Sequence, residues 1–309
     1  MNKIHEVLII GSGPAGLTAA IYAARAELNP VVFEGKDPGG QLIWTSLVEN
    51  WPGNISILGA HLINNIKKHA KHFGAHTTNE SIAKVDFTAH PFTLFTDKGT
   101  EYKTKSVIIA TGAGPRKLNC PGEKEYWGKG VTTCAICDGA FFKDMPVVIV
   151  GGGDTAMEDA SFMSKFTNNI TIVHILDKLT ASAAMQTRIL ENPNINILYN
   201  STVTEIKGNG EHVTDIVIKN QKTDEETTIP ARALFLAIGL KPNTEFLKGA
   251  LKLDKYGYIE TFCPTTATSV EGVFACGDAA DYIYKQAITS SATGCMAALD
   301  AQRYLSKLP

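Results

Sequence analysis

The chain has 309 residues, 44% of them hydrophobic, and a formal charge of −2 at pH 7. That length accommodates two domains of ordinary size with real cores, and the near-neutral balance excludes the basic face that nucleic-acid binding requires. No apolar run reaches bilayer length, and Met1–Glu6 runs straight into Val7-Leu8-Ile9-Ile10 without the layout of a signal peptide. A cytoplasmic protein without membrane or nucleic-acid partners is therefore expected, with cysteines kept reduced unless they carry redox or metal chemistry.

Val7–Ile10 reads as a buried strand. Gly11-Ser12-Gly13-Pro14-Ala15-Gly16 follows, then an Ala-rich helical pattern through Leu17, Ala20, Ile21 and Ala24, then a strand Val31–Phe33 ending on Glu34. This is G-x-G-x-x-G between strand and helix, with an acid closing the next strand. Gly11 permits the tight turn, Gly13 lets the backbone approach a pyrophosphate, Gly16 lets the helix pack close, and Glu34 can take ribose hydroxyls. Ser106–Gly112 is a strand ending in A-T-G.

Cys134-Ala135-Ile136-Cys137-Asp138-Gly139 comes next. Two thiols at this spacing can close and reopen a small disulfide ring, and such pairs commonly lower one thiol's pKa. A neighbouring carboxylate can take or give the proton each transfer requires. A C-x-x-C can also be half of a zinc site, but Cys120, Cys263, Cys276 and Cys295 stand alone and no metal-ligand spacing appears, so no metal is expected. Cys276 and Cys295 read as core thiols.

The chain then repeats itself. Pro146–Val150 is a strand, Gly151-Gly152-Gly153-Asp154-Thr155-Ala156 a second dinucleotide loop, Met157–Phe166 its helix and Ile170–Val173 the next strand. Ala233–Gly239 ends in A-I-G as the first half ends in A-T-G. The paired landmarks imply two α/β Rossmann-like nucleotide-binding domains of one design. After the turn-rich exit Lys241-Pro242-Asn243-Thr244 only a strand at Gly272–Asp278 and a helix from about Gln286 to Leu305 remain, too little for a third domain. They complete the first domain, residues 1–115 and 246–309, and the second, 116–245, is an insertion.

With Gly39-Gly40-Gln41-Leu42, Glu49-Asn50-Trp51-Pro52-Gly53 and the Cys276–Ala287 region in the right order, the whole chain resembles the low-molecular-weight, bacterial-type thioredoxin reductases. The resemblance implies FAD on the first domain, a nicotinamide cofactor, NADP(H) or NAD(H), on the second, a homodimer, and thioredoxin as substrate. Carried over by position, Gly11–Gly16, Glu34, Gly35 and Lys36 would hold the adenine half of FAD. Gly39, Gly40, Gln41, Leu42, Asn50, Val85, Ala110, Thr111 and Gly112 would line its remainder. Gly277, Asp278, Lys285, Gln286 and Ala287 would meet the ribityl chain and the ring. Gly151–Ala156, His174, Ile238 and Gly239 would hold the nicotinamide nucleotide. Cys137 would face the flavin, Cys134 would exchange with the protein substrate, and Asp138 would move protons.

One stretch departs from the pattern. Where the family carries H-R-R-x-x-x-R, this chain reads His174-Ile175-Leu176-Asp177-Lys178-Leu179-Thr180, and every arginine that grips the 2′-phosphate of NADPH is lost. NADH, or a donor such as ferredoxin, becomes the alternative to NADPH, and another small disulfide protein the alternative substrate. Lys285 replaces the family's usual arginine, keeping charge without bidentate bonding. Because the dithiol and the nicotinamide loop share one domain, a swing about the connections near 114–118 and 241–245 is expected during turnover.

Overall fold

A computed structural model describes residues 3–45 and 47–308. The chain forms two compact units, one running to Gly114 and resuming at Lys241, the other Pro115–Leu240. The sequence reading closes the insertion at 245, whereas residues 241–245 belong with the first unit. The cause is local: Asn243 N–H donates to Gly112 O at 3.0 Å, its Nδ2 to Thr111 O at 2.9 Å, and Thr244 Oγ1 to Gly257 O.

In the first unit a seven-stranded sheet runs in the order His76–Thr78, Val31–Phe33, Ile4–Ile10, Glu101–Ile109, Phe92–Thr96, Ile82–Asp86, with Val273–Ala275 beside Glu101–Ile109. The strands from His76–Thr78 to Glu101–Ile109 pair parallel, as does Val273–Ala275. The two outer strands close as antiparallel hairpins. Glu101–Ile109 serves two neighbours on one edge, Phe92–Thr96 along its first half and Val273–Ala275 along its second. Helices α1 (Pro14–Arg25), α2 (Gly59–His72) and α6 (Ala287–Leu305) also belong to this unit. Gly294 lets α6 approach α1, since a Cβ there would lie 2.1 Å from Ala15 O.

The second unit has a five-stranded parallel sheet in the order Val131–Thr132, Ala233–Leu236, Val147–Val150, Ile170–Val173, Ile195–Leu198. A three-stranded antiparallel sheet, Ser201–Gly208, Val213–Asn220 and Glu226–Pro230, accompanies it. It also holds α3 (Ala135–Asp138), α4 (Asp154–Met163) and α5 (Ala183–Leu190). Helix α4 begins on the glycine loop itself, three residues earlier than the apolar spacing suggests. It ends at Met163 because Lys165 and Phe166 N–H groups fall back on Phe162 and Met163 carbonyls, tightening the last turn. Each unit has its own apolar core: Val7, Ile9, Val32, Ile108 and Phe274 lie in one, Val147, Ile149, Met157, Ile172 and Phe235 in the other.

Candidate active site

In the first unit the glycine loop has the geometry its spacing predicts. Gly11 sits at φ +110°, and a Cβ there would lie 2.2 Å from Ala110 O. A Cβ on Gly16 would lie 1.9 Å from Gly11 O, so only glycine lets α1 start this close to the strand. Gly13 differs: its φ is −70°, and a Cβ there meets nothing within 4 Å. Its glycine is therefore not demanded by the protein's own packing, and the open face fits a pyrophosphate laid against the backbone.

The other sequence-predicted residues gather around this loop. Ser12 Oγ accepts from Gly39 N–H at 2.9 Å, tying the Gly39–Leu42 segment to it. Gln41 Nε2 donates to Ala113 O at 2.7 Å, and Asn50 Nδ2 to Gln286 Oε1 at 3.4 Å. Thr111 Oγ1 is buried with no protein partner, beside Gly112 at φ +65° with open space about it. Gly277 at φ +65° carries Asp278, whose carboxylate accepts from Ser290 Oγ at 2.9 Å and which burial holds above the usual carboxylate range. Lys285 has a left-handed backbone, and Gln286 caps α6 with Ala287 as its first residue. Glu34 is buried at its strand end, paired with Lys67 of α2, a residue the sequence reading did not single out. Gly35 turns the chain at φ +72°, and Lys36 is exposed. Val85 is different, because its side chain packs in the apolar core and only its main chain can meet a cofactor. An orphaned hydroxyl, an open glycine and an acid at the strand end together fit FAD.

In the second unit Gly151 repeats Gly11, at φ +143° with a Cβ position 2.5 Å from Ala237 O. His174 is buried under the loop: a Cβ on Gly152 would lie 2.3 Å from its ring, and its Nε2 lies 3.0 Å from Lys178 O. Its ring fills the space beneath Gly152. Asp154 Oδ1 accepts from Ser182 N–H at 2.8 Å, which holds its carboxyl below the ordinary value. Arg116 N–H donates to the carbonyl of Gly239, which turns at φ +92° beside Ile238.

The same unit carries the thiols. Cys134 and Cys137 are joined as a disulfide, with Cα atoms 5.3 Å apart. Cys134 caps the single turn α3: Cys137 N–H points at its Sγ at 3.2 Å and Asp138 N–H donates to its carbonyl at 3.1 Å. Thr132 Oγ1 donates to Asp138 Oδ2 and accepts from Cys134 N–H at 3.3 Å. Burial raises the Asp138 carboxyl above its usual range, and the Thr132 hydroxyl draws it partly back. The other thiols differ: burial pushes Cys276 up to about 12 and Cys120 up to about 11, while Cys263 is exposed and Cys295 half-buried.

Two dinucleotide loops and a closed dithiol thus stand on one chain, and that chain is similar over its length to known proteins. The profile of the pyridine nucleotide-disulphide oxidoreductases matches residues 5–294. A thioredoxin reductase of Streptomyces clavuligerus is 47% identical over 310 residues, covering 100% of this chain and 96% of its own. That of Chlamydia pneumoniae is 49% identical, over 98% of this chain and 99% of its own. Among solved structures, thioredoxin reductase from Giardia duodenalis superposes with a TM-score of 0.92 at 44% identity, over 98% of this chain and 100% of that one. This chain belongs to the low-molecular-weight thioredoxin reductases within the pyridine nucleotide-disulphide oxidoreductase family.

The loop after Ile170–Val173 is exposed over residues 175–178. Ile175 and Leu176 are 59% and 47% exposed, where arginines are expected. Thr180 is exposed, and its Oγ1 donates to Gly152 O at 3.1 Å. Asp177 lies 3.8 Å from Lys222 Nζ. That lysine arrives from a distant turn, docked by Gln221 N–H on Asn200 O and by Asn200 N–H on Leu176 O. No local spacing in the sequence announces Lys222. Thr132 had a faint signal, a hydroxyl two residues before Cys134, which Thr133 beside it obscured.

Proposed function

We propose that this thioredoxin reductase reduces the disulfide of thioredoxin in the cytoplasm, as a homodimer, drawing electrons from a nicotinamide nucleotide through FAD. The first unit holds FAD on Gly11–Gly16, Glu34, Gly39–Leu42, Thr111-Gly112 and Asp278–Ala287; the second holds the nicotinamide on Gly151–Ala156. The observation that carries this reading is the Cys134–Cys137 disulfide with Asp138 beside it, inside a nucleotide-binding unit. Bound FAD supplies the two-electron exchange between a nicotinamide hydride and a disulfide.

This chain's own residues perform the other half. Once the pair is reduced, the Cys134 thiolate attacks one sulfur of the substrate disulfide and expels the other as a thiolate. Cys137 then attacks Cys134 Sγ of the mixed disulfide, releasing the second substrate sulfur and re-forming the Cys134–Cys137 bond. The dithiol loses two electrons and two protons, and the substrate gains both. Asp138 holds and hands on the protons. Replacing Cys134 or Cys137 by Ser is expected to abolish thioredoxin reduction while leaving flavin reduction by the donor intact. A Cys137→Ser protein that reduces thioredoxin at the original rate overturns the assignment.

For the donor, we propose that NADPH has lost the advantage the arginines confer, because a doubly charged phosphate meets Ile175, Leu176 and Asp177. NADH then serves as well or better, or a ferredoxin-like donor serves instead. Anaerobic titration with NADH and with NADPH, following flavin bleaching, separates these donors. Exposed apolar side chains on α1 and α6, Tyr22, Met296 and Leu299, are consistent with a dimer, which analytical ultracentrifugation tests.

A further inference from the structure

At the dithiol turn one hydroxyl, that of Thr132, joins the Asp138 carboxylate to the Cys134 main chain, and the thiol exchange itself does not use it. The Thr132 hydroxyl has a single proton. It gives that proton to Asp138 Oδ2 while its lone pair takes Cys134 N–H at 3.3 Å. The hydroxyl is thereby oriented from both sides, by the residue that exchanges and by the residue that carries the proton. Asp138 accepts at Oδ2, so the carboxyl is held with that oxygen unprotonated.

We propose that Thr132 is a positioning residue for the proton-transfer acid: its hydroxyl bridges the Cys134 main chain and the Asp138 carboxylate, fixing the carboxylate's orientation and favouring its ionised form. The inference rests on the reading of Asp138 as the group that moves protons. It goes beyond that reading because it assigns what sets the poise of Asp138. The strand Val131–Thr132 contributes no charged group, α4 packed on α3 contributes Asp154, Glu158 and Asp159, and Lys143 follows the 3-10 turn Gly139–Phe142. None of these acts on Asp138 as strongly as burial and the Thr132 hydroxyl do, the first raising its carboxyl and the second lowering it. Removing the hydroxyl leaves burial unopposed, and Asp138 should titrate at higher pH.

The test is the pH dependence of one half-reaction. The flavin-loaded enzyme is pre-reduced and mixed by stopped flow with oxidised thioredoxin, for the wild type and for Thr132→Val, Thr132→Ala, Thr132→Ser, Asp138→Asn and Thr132→Val/Asp138→Asn. Asp159→Asn run in parallel identifies any limb that belongs to that carboxyl. Thr132→Val and Thr132→Ala should move the limb that Asp138→Asn abolishes to higher pH by about one unit, a tenfold change in proton affinity. Thr132→Ser should restore it, and Thr132→Val should add nothing in the Asp138→Asn background. If the Val and Ala profiles superimpose on the wild type while Asp138→Asn is slow, the inference falls and the role of Asp138 stands. If the Thr132 effect persists undiminished in the Asp138→Asn background, Thr132 acts through something else and the inference falls. An Asp138→Asn enzyme as fast as wild type removes the underlying reading and the inference with it.

Discussion

Asp159 shows how much one side chain's surroundings decide. It lies buried on α4, its Oδ2 has no hydrogen-bond partner, and burial, helped by the Glu158 charge, pushes its carboxyl up to about 7. A carboxyl whose folded-state pKa is raised binds more protons folded than unfolded, so stability must fall as pH rises. The stabilising contribution is complete below about pH 4 and is lost as pH climbs through about 7. Three pH units at about 1.4 kcal/mol each put the effect on the order of 4 kcal/mol at most. Asp159→Asn should therefore match the wild type near pH 4 and exceed it at pH 8, with one proton less slope between. Thermal unfolding of both proteins across that range measures this, and parallel curves would show that Asp159 ionises normally. Asp138 and Asp278 are raised by burial too, so the wild-type slope should not vanish when Asp159 alone is changed.

At the level of the element, two glycines of one loop should behave differently. Gly16 is demanded by packing: Gly16→Ala puts a Cβ 1.9 Å from Gly11 O and forces α1 off its strand, which at ordinary overpacking costs is about 1–3 kcal/mol even without flavin. A Cβ on Gly13 meets no protein atom within 4 Å, so Gly13→Val should cost the flavin-free protein no more than the loss of a favourable N-cap residue, about 1 kcal/mol, yet fail to take up FAD. Unfolding of the stripped proteins and flavin absorbance after reconstitution separate the two; equal flavin binding by Gly13→Val would mean the cofactor does not approach there. The strand, loop, helix and acid of this motif were legible because their spacing is set by backbone geometry alone. The antiparallel sheet Ser201–Pro230 was not, since its half-exposed strands mix polar and apolar residues without a clean period. Lys222 was not legible either, because nothing local places it beside Asp177. It bears on the donor. Each lost charge-assisted contact is worth about 1.5–3 kcal/mol, so losing two or three should weaken NADPH on the order of a hundredfold or more. Restoring Arg at positions 175, 176 and 180 should lower the KM for NADPH selectively and leave NADH nearly unchanged. A wild-type KM far lower for NADPH than for NADH would refute the argument, and Lys222 and Lys178 would be the cations to replace next.

Across the whole molecule, the chain crosses between its two units only at 114/115 and 240/241, and the apolar clusters of the units share no residue. Units built this way can respond separately to ligands, because a ligand stabilises only the structure that binds it. If FAD belongs to the first unit, its addition to flavin-stripped protein should slow amide exchange at Gly11–Gly16, Gly39–Leu42 and Gly277–Ala287. Exchange at Gly151–Ala156 and through α4 should change little. At a hundredfold excess over its Kd, the gain is about 2.7 kcal/mol for the openings that release the flavin. A nicotinamide nucleotide should produce the converse pattern, with protection at Gly151–Ala156 and at the turn 174–180. The experiment needs no turnover, so it tests the division of labour apart from the chemistry of the thiols. Protection by FAD of Gly151–Ala156 in place of Gly11–Gly16 would reverse the assignment of the units. Equal protection of both by FAD would mean that the two loops do not discriminate as Glu34 at the first strand end and Ile175-Leu176 after the second require.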